Sequence, residues 1–304
     1  MPSYSSPGPS PGRADAIISE IARAKINLTL RIIGRRSDGY HELDSLVAFA
    51  DFGDVVSLTV GAPIGVTVDG PFASRIVGEN LLQRALHHLA DIQPALRLGS
   101  VRLEKNIPVA AGLGGGSADA AALLRAVRRA NPEHKSHVDW LALAARLGAD
   151  VPVCLAGEAT RMSGIGEKLQ PVDRLPRVEA VLMMPDVMPP ADKTRQVFAK
   201  LAAPAAIATQ TPAPPALRFK DPEAVLAFVA AHGNDLAGAA QAIMPGVREA
   251  EHALAAQAGC RIARMSGAGP SCFGLFATHD EATMAARALS LAHPDWWIRQ
   301  VKLG

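Results

Sequence analysis

The sequence predicts an α+β protein of two domains, and three observations predict it. The chain has 304 residues, 49% hydrophobic but only 4% aromatic, enough aliphatic material for two packed cores. Segments that alternate like strands are interleaved with segments of helical period, and no unit repeats. A break at residues 170–177 divides the chain into residues 15–175 and 176–304.

The elements follow in order. Residues 1–14 are rich in Ser, Pro and Gly and lack an apolar segment, so they read as a flexible tail and not as a signal peptide. Over residues 22–34 polarity alternates, with Ile26, Leu28, Leu30 and Ile32 against Lys25, Asn27, Thr29 and Arg31. That predicts one half-buried strand with a polar face. Asp38-Gly39 closes a turn over residues 35–39. Residues 41–52 and 55–60 read as two further strands, and residues 81–91 as a helix with leucines at 81, 82, 86 and 89. A helix over residues 139–147 stops at Gly148, and Pro152 is expected to prevent its resumption. Residues 178–184, between Pro176 and Pro185, read as a strand. The stretch 202–215 holds Pro204, Pro212, Pro214 and Pro215 and is expected to be an exposed loop. Residues 223–231, 248–258 and 281–292 are helical in pattern. Residues 260–265 and 273–276 suggest two strands joined by the Gly267–Gly269 turn.

The most informative segment is Pro108-Val109-Ala110-Ala111-Gly112-Leu113-Gly114-Gly115-Gly116-Ser117-Ala118-Asp119. Four glycines within five residues run straight into a helical pattern of Ala120, Ala121, Leu123, Leu124 and Val127. Ser117 is placed to be the N-cap, with Asp119 in the first turn. A bare loop at a helix N-terminus presents several free N–H groups to an anion, and the helix dipole adds to the attraction. That makes a phosphate site; the plain alternative is a tight turn between strand and helix. The dinucleotide fingerprint fails because position 117 is Ser, and the P-loop fails because the chain holds no Gly-Lys pair.

Three ordered signatures resemble the GHMP kinases, the small-molecule kinases of galactose, homoserine, mevalonate and phosphomevalonate. They are Ala24-Lys25-Ile26-Asn27-Leu28, the glycine loop, and Met265-Ser266-Gly267-Ala268-Gly269-Pro270-Ser271-Cys272-Phe273. The resemblance implies an N-terminal domain like domain 2 of ribosomal protein S5 and a ferredoxin-like C-terminal domain. It implies ATP as co-substrate, held by residues 108–118, with Mg²⁺ whose ligands the sequence does not name. It implies Lys25 and Asp150 as the catalytic pair, since Gly148-Ala149-Asp150-Val151-Pro152 resembles the segment that carries the family's aspartate. By pattern alone, Asp150 reads equally as a turn-stabilising residue and Lys25 as an exposed strand lysine. Phosphoryl transfer to an alcohol needs a phosphate cradle, a cation and a proton acceptor, and these residues supply all three.

A closer resemblance, over about residues 21–277, points to one branch of the family whose acceptor alcohol carries a cytidine diphosphate. It rests on Arg35-Arg36-Ser37-Asp38-Gly39-Tyr40-His41, on Pro185 followed by Thr194 and Phe198, and on Asn234-Asp235-Leu236. On that basis Tyr40 and Phe198 sandwich the cytosine, His41 bonds its edge, and Asn27, Thr194, Gly267 and Gly269 contact the acceptor. The alternatives are Tyr40 as a strand-start aromatic, Phe198 as core filler and the glycines as a hairpin turn. Val109, Ala110 and Ala111 replace the Met-Gly-Gly common in this branch, Ala118 replaces a second serine, and the segment between Val187 and Thr194 is unusually long and proline-bearing.

Lys plus Arg total 31 against 29 for Asp plus Glu, a balance that argues against nucleic acid as the partner. No apolar run reaches membrane-spanning length. Cys154, Cys260 and Cys272 are scattered and odd in number, which favours reduced thiols and a cytoplasmic setting. The expected partner is therefore a small molecule, bound by a monomer or homodimer. The rivals are another kinase of the family, such as a homoserine kinase, and a non-catalytic nucleotide sensor of the same fold.

Overall fold

The computed structural model describes residues 16–134, 137–201 and 215–304. The expected tail lies outside these residues, as does the expected loop at 202–215 except for Pro215.

One sheet runs through the molecule, and its spine is β3 (His41–Val60). Two strands were expected here, but the structure has one of 20 residues. Gly53 makes the continuity possible, because a Cβ there would stand 2.2 Å from the carbonyl oxygen of Ala22 on β1 (Ile17–Asn27). A bulge in β1 between Arg23 and Lys25 takes up the mismatch. The single strand expected over residues 22–34 is two, β1 and β2 (Arg31–Arg35). The chain leaves the ladder at Leu28, where the N–H groups of Leu28 and Thr29 both turn to the Leu46 carbonyl. The polar face is covered over most of its length, with Lys25, Asn27 and Thr29 all buried, and only Arg31 on β2 stays exposed.

β3 also pairs with β5 (Gly99–Glu104) and β6 (Thr160–Gly164); β5 carries β4 (Gly65–Asp69), and β6 carries β7 (Lys168–Pro171). Helices α1 (Leu81–Ile92), α2 (Gly115–Ala130) and α3 (Trp140–Leu147) cover this part. Their apolar stripes, Leu82, Leu86 and Leu89 on α1 and Leu123, Leu124 and Val127 on α2, are buried as their period requires. α2 begins earlier than expected. Its N-cap is Gly114 at φ +66°, and Ser117 lies inside the first turn. Pro152 does not stop the chain from becoming helical again; α4 (Val151–Ala156) starts beside it. A proline in the first turn has no intrahelical partner to lose.

The C-terminal part is β8 (Val178–Met184), α5 (Lys193–Ala199), α6 (Pro222–Ala231), α7 (Ala237–Ile243), α8 (Gly246–Ala255), β9 (Cys260–Met265), β10 (Cys272–Phe276), α9 (His279–Ala292) and β11 (Trp297–Leu303). Its strands lie in the antiparallel order β11-β8-β10-β9, with α8 before β9 and α9 before β11. That is the split βαβ order of ferredoxin-like domains. β11 joins the two parts. It pairs along β8, then meets β3 at Leu303 and Ala50, and Gly304 exchanges both backbone hydrogen bonds with Phe49. Among the described residues no helix is long and apolar enough to cross a membrane.

Candidate active site

The site forms where β1, the glycine loop, the start of α4, α5 and the β9–β10 turn converge. The covered end of β1 supplies Lys25, which is only 4% exposed. Its backbone N–H donates to the Leu113 carbonyl at 2.9 Å, tying the strand to the loop. Its ammonium lies 3.0 Å from Oδ2 of Asp150 and 3.3 Å from Oδ1 of Asn27. Asp150 is the N-cap of α4 but caps nothing with its side chain, so the carboxylate is free to face Lys25 and is 39% exposed. Asn27 is oriented in turn: its Nδ2 donates to Ser45 Oγ at 2.7 Å, and that hydroxyl donates to the Thr29 carbonyl at 2.6 Å. Ser266 Oγ accepts the Asn27 backbone N–H at 3.1 Å. This network gives every buried polar group of the strand end a partner.

Two cavities meet here. A cleft of about 380 Å³ is lined by Lys25, Asn27, Asp150, Lys193, Thr194 and Phe198, with Gly267 and Ala268 closing one side. A second cavity of about 410 Å³ runs along the loop from Pro108 to Ala111 and from Gly114 to Gly116, walled by Ile76, Asn80 and Leu81. Gly112, Gly114 and Ser117 line both. The glycines are required by close approach. A Cβ on Gly112, at φ +83°, would stand 2.3 Å from the Gly269 carbonyl oxygen, and one on Gly114 would stand 3.1 Å from the Lys25 Cβ.

Not every expected residue reaches the cavities. Leu113 and Ala118 are buried in the core. Gly269 packs behind Gly112 and offers its carbonyl to Lys193. The ring that faces Phe198 is His41, with centroids 5.1 Å apart and tilted by 35°. Tyr40, expected on the other face of a cytosine from Phe198, is 61% exposed. Burial, then the Arg35 charge, lowers the His41 pKa.

Several residues had no signal in the sequence. Lys105 is buried between Asp54 and Asp119, its Nζ 2.5 and 2.8 Å from their Oδ2 atoms. Asp54 Oδ1 also accepts the backbone N–H groups of Asn106 and Ile107, at 2.6 and 2.7 Å. Asp119 is pushed up to about 8, first by burial and then by the Asp54 carboxylate, which together outweigh Lys105. Its Oδ1 has no hydrogen-bond partner. Lys193 donates from Nζ to the Ala110 carbonyl at 2.5 Å and to the Gly269 carbonyl, and burial pushes it down to about 8.

Residues 80–158 match the model of the GHMP kinase N-terminal domain, and residues 215–295 match that of the C-terminal domain. Over 300 residues the chain is 45% identical to the 4-diphosphocytidyl-2-C-methyl-D-erythritol kinase of Dinoroseobacter shibae, covering 95% of this chain and 97% of that protein. It is 46% identical to the enzyme of the same name from Parvibaculum lavamentivorans, covering 92% and 96%. A crystal structure of a 4-(cytidine 5'-diphospho)-2C-methyl-D-erythritol kinase superposes with a TM-score of 0.71 at 35% identity, over 94% of this chain and 99% of that one. The homoserine kinase from Cytophaga hutchinsonii shares the fold, with a TM-score of 0.65 at 18% identity over 98% and 97%.

Proposed function

We propose how the site works from one premise: the chain belongs to the GHMP kinases and, within them, to the 4-diphosphocytidyl-2-C-methyl-D-erythritol kinase family. It transfers the terminal phosphoryl group of ATP to the 2-hydroxyl of 4-diphosphocytidyl-2-C-methyl-D-erythritol, leaving the 2-phosphate and ADP. The reaction belongs to the non-mevalonate route to isoprenoid precursors. The observation that carries this reading is the Lys25–Asp150 pair, 3.0 Å apart, beside the wall shared by the two cavities.

ATP occupies the loop cavity, with its phosphates against the N–H groups at the start of α2. The acceptor occupies the cleft, its hydroxyl between Asp150 and the terminal phosphoryl. An alcohol is a far weaker acid than a carboxylic acid, so its proton passes to Asp150 only as the new P–O bond forms. Lys25 faces the same oxygen and the moving phosphoryl, and stabilises the charge that develops on both. We place the cytosine against Phe198 and His41, with Tyr40 closing over it and Thr194 at the acceptor's polar end. The division between the two domains is set near residue 176.

Mg²⁺ suits the loop cavity on one observation, the unpartnered and buried Oδ1 of Asp119 among its lining residues. Such an ion is held by one or two protein oxygens and by substrate phosphates. Ser117 and Asp119 would hold it here, and it supplies neutralisation of phosphate charge.

The test is ADP release with this acceptor, followed by phosphorus NMR of the product. One new phosphomonoester per ADP, with inhibition by cytidine diphosphate, is expected. Turnover of homoserine without cytidine protection would make the chain a different kinase of the family, and tight ATP binding without any ADP release would make it a sensor.

A further inference from the structure

Lys193 has no part in the mechanism just described, yet from α5 it touches two other parts of the site. It is the first residue of α5, next to Thr194 and one turn before Phe198. Its Nζ reaches the Ala110 carbonyl in the nucleotide loop and the Gly269 carbonyl in the β9–β10 turn. Its ammonium is buried, and burial alone accounts for its lowered pKa. A buried cation without a carboxylate is costly, so its hydrogen bonds to carbonyl dipoles must offset the lost hydration.

The Ala110 end of this contact is unusual. Ala110 is one of two non-glycine residues, among those described, with a positive φ, at +59°. The left-handed region is unfavourable for alanine, so something outside the loop must hold it there. The neighbouring carbonyl, that of Ala111, accepts the Ser271 N–H at 3.0 Å, and Gly112 packs on Gly269. The loop that lines the nucleotide cavity is therefore shaped by contacts from the acceptor side, and Lys193 provides the only one of these that is charged.

We propose that Lys193 is a positioning residue that clips the nucleotide loop to the β9–β10 turn, so that donor and acceptor are aligned through one ammonium. This rests on the kinase reading but is measurable without turnover. In Lys193→Met the aliphatic stem remains and both donors are lost. Affinity for Mg²⁺ and a non-hydrolysable ATP analogue, read by calorimetry, should fall about tenfold, the weight of a charge-assisted hydrogen bond. Turnover with both substrates saturating should fall at least as far, by about tenfold. Affinity for cytidine diphosphate, which sits on His41 and Phe198, should stay within about twofold of the parent. Lys193→Arg, which keeps the charge and two donors, should recover most of the nucleotide affinity.

Nucleotide affinity within about twofold of the parent in Lys193→Met overturns the proposal, whatever turnover does. A parallel loss of cytidine diphosphate affinity also overturns it, because that marks a general displacement of α5. Should the melting curve show Lys193→Met unfolded, Lys193→Leu, which also lacks a donor, carries the same readings. If the parent protein transfers no phosphoryl group at all, the kinase reading fails, and the calorimetric arm still decides the role of Lys193.

Discussion

Asp150 has one oxygen on Lys25 and lines the cleft with 39% of its side chain exposed, the position of a proton acceptor. Asp150→Asn keeps the shape and removes the acceptor. Steady-state kinetics should show turnover reduced by about 10²–10⁴-fold with the Michaelis constant for ATP within a few-fold. Phe198→Ala removes the stacking surface beside His41. A base–aromatic stack contributes about 1–3 kcal/mol, so the acceptor's Michaelis constant should rise about 5- to 100-fold while that of ATP does not. Asp119 gives a pH signature. Its folded pKa of about 8 lies above the unfolded value of 3.8, so the native state holds the extra proton between those values. Its contribution to stability is present at low pH and is lost as pH rises through about 8. Melting temperatures of the parent should therefore drop relative to Asp119→Asn between about pH 5 and pH 9; parallel curves would refute this. Lys25, Asn27 and Asp150 were singled out because the short segments that hold them resemble family signatures, whereas pattern alone read Lys25 as an exposed strand lysine and left Asp150 undecided. Lys105 and Asp54 were not legible, because their partnership spans 51 positions and exists only once β3 and β5 have paired.

Helices were easier to foresee than strands for a physical reason. A helix is written in consecutive residues and ends at local signals such as Gly148 and the Asp139 cap, which accepts the Ala142 N–H at 2.9 Å. A strand depends on what lies beside it. The sequence reading left residues 53–54 between two strands, but Gly53 is where β1 comes too near for any side chain. Gly53→Ala should therefore cost about 1–3 kcal/mol or more through overpacking, visible as a lower denaturant midpoint. An unchanged midpoint would mean that β1 can retreat. The start of α2 teaches a related lesson. Ser117 fits the cap pattern, yet Gly114 takes the role because it adopts a positive φ against Lys25. Ser117 is left to face both cavities.

At the scale of the molecule, the site exists because the N-terminal and C-terminal parts share one sheet and one buried core, in which Ile26, Ala48 and Leu113 pack in the same cluster as Leu182, Phe273 and Leu303. The backbone seam is short, with β11 reaching β3 through Leu303 and Gly304, and the shared core packs around it. Phe49, which Gly304 bonds, lies opposite Lys25 on β1, so the seam is next to the reactive pair. Leu303→Asp places an unpaired charge at this buried joint. The expected loss is about 3 kcal/mol or more, with calorimetric unfolding at a clearly lower temperature and turnover abolished, because the charge enters the core common to both parts. A single sharp transition near the parent temperature would show that the parts are held mainly by other contacts.

The thin wall of Gly112, Gly114 and Ser117 between the two cavities has a consequence for inhibitor chemistry. A single compound carrying an adenosine at one end and a cytidine at the other, bridged by a short polyphosphate, needs no tunnel to occupy both chambers. Once the first nucleoside docks, the second is presented at an effective concentration on the order of millimolar. Such a tethered pair should out-compete either free nucleotide, and the bridge length giving the tightest inhibitor would measure the in-line distance that the enzyme uses.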